Sequence, residues 1–157
     1  MDGIGLREAS SDDYGGIFHV WASVTENLIS PYRLERMGAR ASVAQSLKRG
    51  AKGWVAVRRG EIVGFSIAHQ TSASIFALFV LPEYEGRGLG RRLLDAASAW
   101  LWDNGADIVW LTTAPGTRAA GFYAHYGWIC SGVEANDELR FELRRPAPCQ
   151  VAAPIVA

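Results

Sequence analysis

The stretch that decides the fold is Leu78–Arg92, LFVLPEYEGRGLGRR. An apolar run of strand type ends at Pro82, a glycine-dense turn follows, and leucines recur at helical spacing from Leu89 onward. The first amides of such a helix have no intrahelical acceptors, and they carry the positive end of the helix dipole. The stretch therefore predicts an anion-binding site at the start of this helix.

Glycines and arginines give the turn its binding character. Gly86, Gly88 and Gly90 let the backbone approach a phosphate without Cβ collisions. The full positive charges at the same point are Arg87, Arg91 and Arg92. Two common phosphate loops do not fit, because GxxxxGK[ST] requires a lysine where two arginines follow Gly90, and GxGxxG has a different glycine spacing.

On both sides of this stretch, alternating periodicities predict one mixed α/β domain over residues 1–145. The predicted strands are Ile4–Glu8, Trp54–Val57, Ile62–Ala68, Ile75–Leu81, Ile108–Leu111, Trp128–Val133 and Leu139–Leu143. The predicted helices run from Ser11–Asp13 to Ser30, from about Leu34 to Lys48, from Leu89 to about Trp102 and from Arg118 to Tyr126. The run Ile75–Leu81 does not alternate, so both of its faces are expected to be covered. Residues 146–157 lack periodicity and are expected to form a flexible tail.

Composition excludes several classes of protein. Of 157 residues, 49% are hydrophobic, and sixteen Lys and Arg balance sixteen Asp and Glu, so disorder and a general grip on nucleic acid or anionic membrane are not expected. The two cysteines form no CxxC pair and the three histidines no HxxxH pattern, so no metal site is expected. Neither a signal peptide nor a membrane-spanning run is evident, which favours a cytoplasmic protein.

Two motifs resemble those of the GCN5-related N-acetyltransferase (GNAT) superfamily. Glu85–Gly90 is similar to motif A, [QR]-x-x-G-x-[GA], although Glu85 stands where Gln or Arg is usual. Thr117–Trp128 is similar to motif B, N-x-x-A-x-x-[FL]-Y-x-x-x-G-[FW], with Gly116 in place of the usual Asn. The two motifs are one helix and one strand apart, in the family's order.

The resemblance implies a GNAT fold, with a mixed, mostly antiparallel sheet splayed between strands 4 and 5 and helices on both faces. In the family, motif A cradles the diphosphate of coenzyme A, and the pantetheine arm lies in the gap between the splayed strands. Carried over to this chain, the residues expected to bind acetyl-CoA are Leu78, Phe79, Val80, Gly86, Arg87, Gly88, Leu89, Gly90, Arg91, Thr117 and Tyr123. Thr117 or Thr113 is expected to replace the missing Asn contact, and a carboxylate at Glu85 must either point away from the diphosphate or weaken its binding.

The resemblance also assigns catalytic roles. Tyr123 is the expected acid that protonates the leaving thiolate, and an N–H near Val80 is expected to polarise the thioester carbonyl. The base stays open, because the strands on both sides of motif A carry no acid at the family's position. The alternatives are Glu26, His69, Glu83 and Glu138, or a chain of waters.

Taken together, these features predict an acetyl-CoA-dependent N-acetyltransferase that acts on a primary amine of a small molecule or peptide by direct attack in a ternary complex. The alternative is a non-catalytic acyl-CoA-binding regulator on the same fold. The expected partners are acetyl-CoA and an amine acceptor, without nucleic acid or membrane. Because members of the family often dimerise, a homodimer is among the expected states.

Overall fold

A computed structural model of the chain describes residues 3–25, 50–113, 115–116, 118–135 and 137–146. In those residues, three α-helices and seven strands follow one another. Their bounds are β1 (Ile4–Glu8), α1 (Tyr14–Thr25), β2 (Ala51–Arg58), β3 (Glu61–His69), β4 (Ser74–Val80), α2 (Leu89–Asp103), β5 (Ile108–Thr113), α3 (Arg118–His125), β6 (Ile129–Val133) and β7 (Leu139–Arg144).

Where the structure describes the chain, the predicted elements are confirmed. The strands predicted over Trp54–Val57 and Ile62–Ala68 are β2 and β3, which pair as a hairpin. The helix predicted from Leu89 is α2, which ends with Asn104 as its cap and Gly105 in a left-handed conformation (φ 100°). The helix predicted over about Leu34–Lys48 lies outside the described residues, as does the tail from residue 147 onward.

The sheet has the order β1-β2-β3-β4-β5-β7-β6, and all neighbours are antiparallel except β4 and β5. These two parallel strands are paired at Ser74 and Trp110, where the Trp110 backbone N donates to the carbonyl of Ala73 at 3.2 Å. The indole Nε1 of Trp110 donates to the carbonyl of Ser72 at 2.8 Å, which strengthens this junction. Beyond it the strands part toward their carboxyl ends, so the predicted splay is confirmed.

A β-bulge in β4 accounts for the parting. Ile67 of β3 faces Ala77, whereas the next residue, Ala68, faces Ile75, so Phe76 is an extra residue in β4. A bulge of this kind bends its strand and increases the local twist. The expectation that both faces of this run are covered is wrong at Phe76, whose side chain is 43% exposed, because the bulge removes it from the alternation of its neighbours.

A hydrophobic core lies on each face of the sheet, as predicted. On one face, Leu93 and Leu101 of α2 pack against Val63 and Val109 of the strands. On the other face, Ile17, Val20 and Trp21 of α1 pack against strand residues. Burying one leucine side chain contributes about 2 kcal/mol, so the two cores stabilise the sheet from both faces.

An ion pair attaches the start of α1 to β1. Asp13, which is buried, accepts hydrogen bonds from Arg7 Nη1 at 2.8 Å, from Arg7 Nη2 at 2.9 Å and from the Ser10 backbone N at 2.8 Å. These bonds, led by the one from Arg7, hold the pKa of the Asp13 carboxyl below its usual range. A carboxyl group with a lowered folded pKa stabilises the fold only while it is ionised.

Replacing Asp13 with asparagine is expected to lower the free energy of unfolding by about 1 kcal/mol at pH 7, since the half-exposed Arg7 weakens the pair by solvent screening. The difference from the unaltered protein should shrink as the pH falls below about 4, where the carboxyl is protonated in the unfolded chain and then in the folded one. Urea unfolding at pH 7 and pH 3 measures this. Asp12→Asn, on the exposed neighbour, is the control, and equal losses for the two variants would contradict the role of Asp13.

Candidate active site

The glycine turn that follows β4 contains two residues with a left-handed backbone conformation. Gly86 (φ 78°) and Gly88 (φ 80°) both adopt left-handed conformations, which side chains of L-residues disfavour. Apart from each glycine and its two chain neighbours, no residue has an atom within 4 Å of the position that a Cβ would take there. The turn therefore has open space beside its backbone at both glycines.

The start of α2 supplies donors beside this space. The first helical hydrogen bond joins the Arg92 backbone N to the Gly88 carbonyl at 3.1 Å, so the amides of Leu89, Gly90 and Arg91 precede the intrahelical ladder. Leu89 buries its side chain in the core, which anchors the helix start. Gly90 has a further reason to be glycine, because a Cβ there would lie 3.3 Å from Phe122 Cζ of α3.

The arginines near the turn make different contacts. The guanidinium of Arg87 lies 5.1 Å from the ring centre of Tyr84. Arg91 donates from Nε to Asp95 at 3.1 Å and covers the ring of Tyr126 at 4.3 Å. Arg92 extends toward the Ile4 carbonyl of β1, at 3.4 Å from Nη1, and so contributes less to the turn than its sequence position suggests.

Glu85 points toward α3. Its Oε1 accepts a hydrogen bond from Nη1 of Arg118 at 2.8 Å, and Arg118 is the first residue of α3. The sequence predicted a carboxylate turned away from the diphosphate but did not single out Arg118. The available signal was its place beside Thr117 in the second motif; Thr117 itself lies outside the described residues.

Of the three β4 residues expected to bind the pantetheine arm, two have backbone groups that face the gap. The Leu81 backbone N donates to Val63 of β3 at 2.9 Å, and the Phe79 carbonyl lies on the same side, 3.2 Å from the position of a Cβ on Gly64. Because successive peptides of a strand face opposite ways, Leu78 and Val80 direct their N–H and C=O groups into the gap. The peptide of Phe79 faces β3, which corrects the expectation that all three residues offer backbone groups to the gap.

Tyr123 lies in the core cluster beneath β5. Its side chain is only 6% exposed, and its ring packs 5.9 Å from that of Trp128 and 5.8 Å from that of Phe141. Phe141 pairs with Leu111 of β5, so the ring of Tyr123 packs against the half of the sheet on the β5 side of the gap. Burial raises the pKa of the Tyr123 phenol, which therefore stays protonated throughout the physiological range.

The structure places the candidate bases differently. His69 ends β3 opposite Ser74, at the closed end of the gap, and burial lowers the pKa of its imidazole. Glu138 accepts a hydrogen bond from Thr112 Oγ1 of β5 at 2.7 Å. Glu83 is exposed in the short turn after β4, whereas Glu26 lies outside the described residues.

An aromatic wall lies beside the closed end of the gap, on the face of the sheet that α1 covers. Phe76, the bulge residue, meets the ring of Trp21 edge-on at 6.0 Å and that of His69 edge-on at 5.2 Å. Trp21 also stacks on Phe79 at 6.2 Å. The exposed part of Phe76 therefore presents an apolar surface next to an imidazole.

The described ranges contain neither a candidate metal site nor a candidate membrane-spanning helix. Among these residues, no three His, Cys, Asp or Glu side chains come together in a group that could hold a metal ion. In the same ranges, no helix is both long enough and apolar enough to cross a membrane.

Comparisons with known proteins point to one family. Residues 17–128 match the model of the family described as Acetyltransferase (GNAT) family. The chain is 30% identical to a probable N-acetyltransferase of Mycobacterium tuberculosis, over 76% of each chain.

Solved structures share the fold at low sequence identity. The PaiA N-acetyltransferase of Thermoplasma acidophilum, solved in complex with coenzyme A, has a TM-score of 0.78 and 16% identity, over 90% of this chain and 99% of that chain. An acetyltransferase of the GNAT family from Staphylococcus aureus has a TM-score of 0.71 and 16% identity, over 90% of this chain and 98% of that chain.

Proposed function

The chain belongs to the GNAT acetyltransferase family, and we propose that it transfers the acetyl group of acetyl-CoA to a primary amine of a small molecule or peptide. The family uses acetyl-CoA as its acetyl donor. The observation that carries the proposal is the gap between β4 and β5, which starts at the backbone pair of Ser74 and Trp110 and opens toward the glycine turn at the carboxyl end of β4.

Backbone groups on two sides would hold acetyl-CoA. The amides from Leu89 to Arg91 would bind the diphosphate, with Gly86 and Gly88 keeping the space beside them open and Arg87 adding charge. Leu78 and Val80 would bind the pantetheine arm as an additional strand, since their peptides face the gap. This arrangement directs the thioester toward the closed end of the gap, where Phe76 and His69 lie.

Direct transfer needs a neutral amine that attacks the thioester carbonyl carbon, so that a C–N bond forms while the C–S bond breaks. An N–H of Val80 or Leu78 would stabilise the charge on the carbonyl oxygen. Tyr123 would give a proton or a hydrogen bond to the leaving sulfur. His69 would accept the amine proton, directly or through water, because the lowered pKa of its imidazole keeps it neutral at pH 7.

Replacing His69 with glutamine is expected to lower kcat about tenfold at pH 7 and to remove the acid limb of its pH profile. Since burial lowers the pKa of His69, that limb should fall below pH 6.5 in the unaltered enzyme. Initial rates between pH 5 and 9 measure this. Glu138→Gln is the matched variant, and if it removes the acid limb while His69→Gln does not, the base is Glu138.

The proposed function is tested in two steps. Calorimetric titration with acetyl-CoA measures binding, and release of free thiol then measures turnover over a panel of alkyl, aryl and peptide primary amines. Saturable binding together with acceptor-dependent thiol release would support the enzyme. Binding without turnover on any amine would favour the acyl-CoA-binding regulator, and no binding would overturn both.

A further inference from the structure

The ion pair between Glu85 and Arg118 joins the two sides of the gap between β4 and β5. Glu85 belongs to the turn that leads from β4 into α2, and Arg118 starts the helix that follows β5. Their atoms Oε1 and Nη1 are 2.8 Å apart across 33 residues of sequence. Anything that lies along the gap and reaches the glycine turn therefore passes beside this pair.

Arg118 keeps donors for a further ligand while it is paired. A guanidinium carries five N–H donors in a planar fork, and the bond to Glu85 uses one on Nη1. The side chain of Arg118 is 86% exposed, so the rest of the fork is accessible. Phosphate oxygens match this fork geometrically, as carboxylates do.

The negative charge of Glu85 would affect an anion bound at the glycine turn, so its pairing with Arg118 matters for binding. Glu85 directly precedes Gly86, and an uncompensated carboxylate there would repel a phosphate bound at the turn. Arg91 already pairs with Asp95, and Arg92 extends toward β1, so neither compensates Glu85 in the structure. Within the part of the chain that the structure describes, Arg118 forms an ion pair with this carboxylate.

We propose that Arg118 is a phosphate-binding residue for the acetyl donor, and that it also neutralises Glu85, which stands where the family usually has Gln or Arg. The proposal rests on the proposed function, since it presupposes acetyl-CoA in the gap. In this arrangement the cation comes from α3, across the gap, and its pairing with Glu85 offsets the negative charge at the turn.

The two partners are expected to act on affinity in opposite directions. Arg118→Gln should raise the Kd for coenzyme A about tenfold, because it removes charged donors and leaves Glu85 uncompensated. Glu85→Gln should leave the Kd unchanged or lower it, because it removes a repulsive charge and keeps the arginine. The double variant should fall between the two, so that Glu85→Gln partly rescues Arg118→Gln.

Calorimetric titration of the four proteins with coenzyme A tests this, with Arg144→Gln as the control. Arg144 is exposed and faces Ile108 at the amino end of β5, so the control makes the same charge change at the opposite end of the strand. A loss below about threefold in Arg118→Gln would overturn the proposal. Equal losses in both single variants would also overturn it, because a purely structural tie between the turn and α3 predicts that result.

Titration with dephospho-coenzyme A distinguishes whether Arg118 contacts the diphosphate or the 3′-phosphate of coenzyme A. Since Glu85 adjoins the glycine turn, the loss in Arg118→Gln should persist with this ligand, which retains the diphosphate and lacks the 3′-phosphate. A loss seen only with coenzyme A would overturn the placement of Arg118 beside the diphosphate. If the unaltered protein bound neither ligand, the proposed function would fail together with this inference, whereas normal binding by all variants would remove the inference alone.

Discussion

Replacing Tyr123 with phenylalanine is expected to lower kcat about hundredfold and to leave the Kd for acetyl-CoA within about twofold. The substitution removes one oxygen and keeps the ring that packs against Trp128 and Phe141. The free energy of unfolding should therefore not fall. Single-turnover thiol release, together with calorimetric titration, separates the chemical step from binding.

The burial of Tyr123 also predicts how kcat depends on pH in the unaltered enzyme and in the Tyr123→Phe variant. A coenzyme thiol has a pKa of about 8.5, and an ordinary phenol one of about 10, so proton donation to the thiolate is uphill unless the two groups are in contact. Burial raises the pKa of Tyr123 further, so the phenol does not ionise within the working range and should cause no alkaline limb. Any alkaline limb in the unaltered enzyme should therefore persist in Tyr123→Phe.

Tyr126→Phe is the matched control for the acid role. Tyr126 directly follows α3, and its ring packs edge-on against Phe122 at 4.9 Å and beneath the guanidinium of Arg91. Loss of its hydroxyl should change kcat less than about threefold. If Tyr123→Phe turned over as fast as Tyr126→Phe, the acid would have to be water or another group.

The strand, turn and helix around the glycines could be predicted because each signal is local. An apolar run, left-handed glycines and leucines at helical spacing fall within fifteen consecutive residues, Leu78–Arg92. The parting of β4 from β5 could be predicted only from the family resemblance. Its physical cause is the extra residue Phe76, and this depends on the register with β3, which the sequence of β4 does not encode.

The electrostatics of the turn illustrate a second limit of local signals. From the sequence, Glu85 is a carboxylate without a partner, because Arg118 lies 33 residues away and comes near it only when α2, β5 and α3 have packed. In the same way, Gly90 fits the motif locally, yet the structure shows that its lack of a side chain also admits the ring of Phe122. Both features depend on contacts between separate elements, so no single segment of the sequence predicts them.

Replacing Gly88 with valine is expected to weaken binding of acetyl-CoA at least about hundredfold and to lower the free energy of unfolding by about 2 kcal/mol. Gly88 caps α2 at φ 80°, where a β-branched residue is strained. No neighbouring atom opposes the added carbons in the free protein, so they would occupy the space beside the backbone that a phosphate needs. Calorimetric titration with acetyl-CoA and urea unfolding measure the two effects separately.

Gly60→Val separates backbone strain from loss of the phosphate space. Gly60, in the turn between β2 and β3, has φ 81° and also has no atom within 4 Å of its Cβ position, so valine should cost about the same stability there. Its Kd for acetyl-CoA should nevertheless match that of the unaltered protein. If both variants lost affinity alike, general destabilisation would explain the result, and if neither did, the turn at Gly88 would not bind the diphosphate.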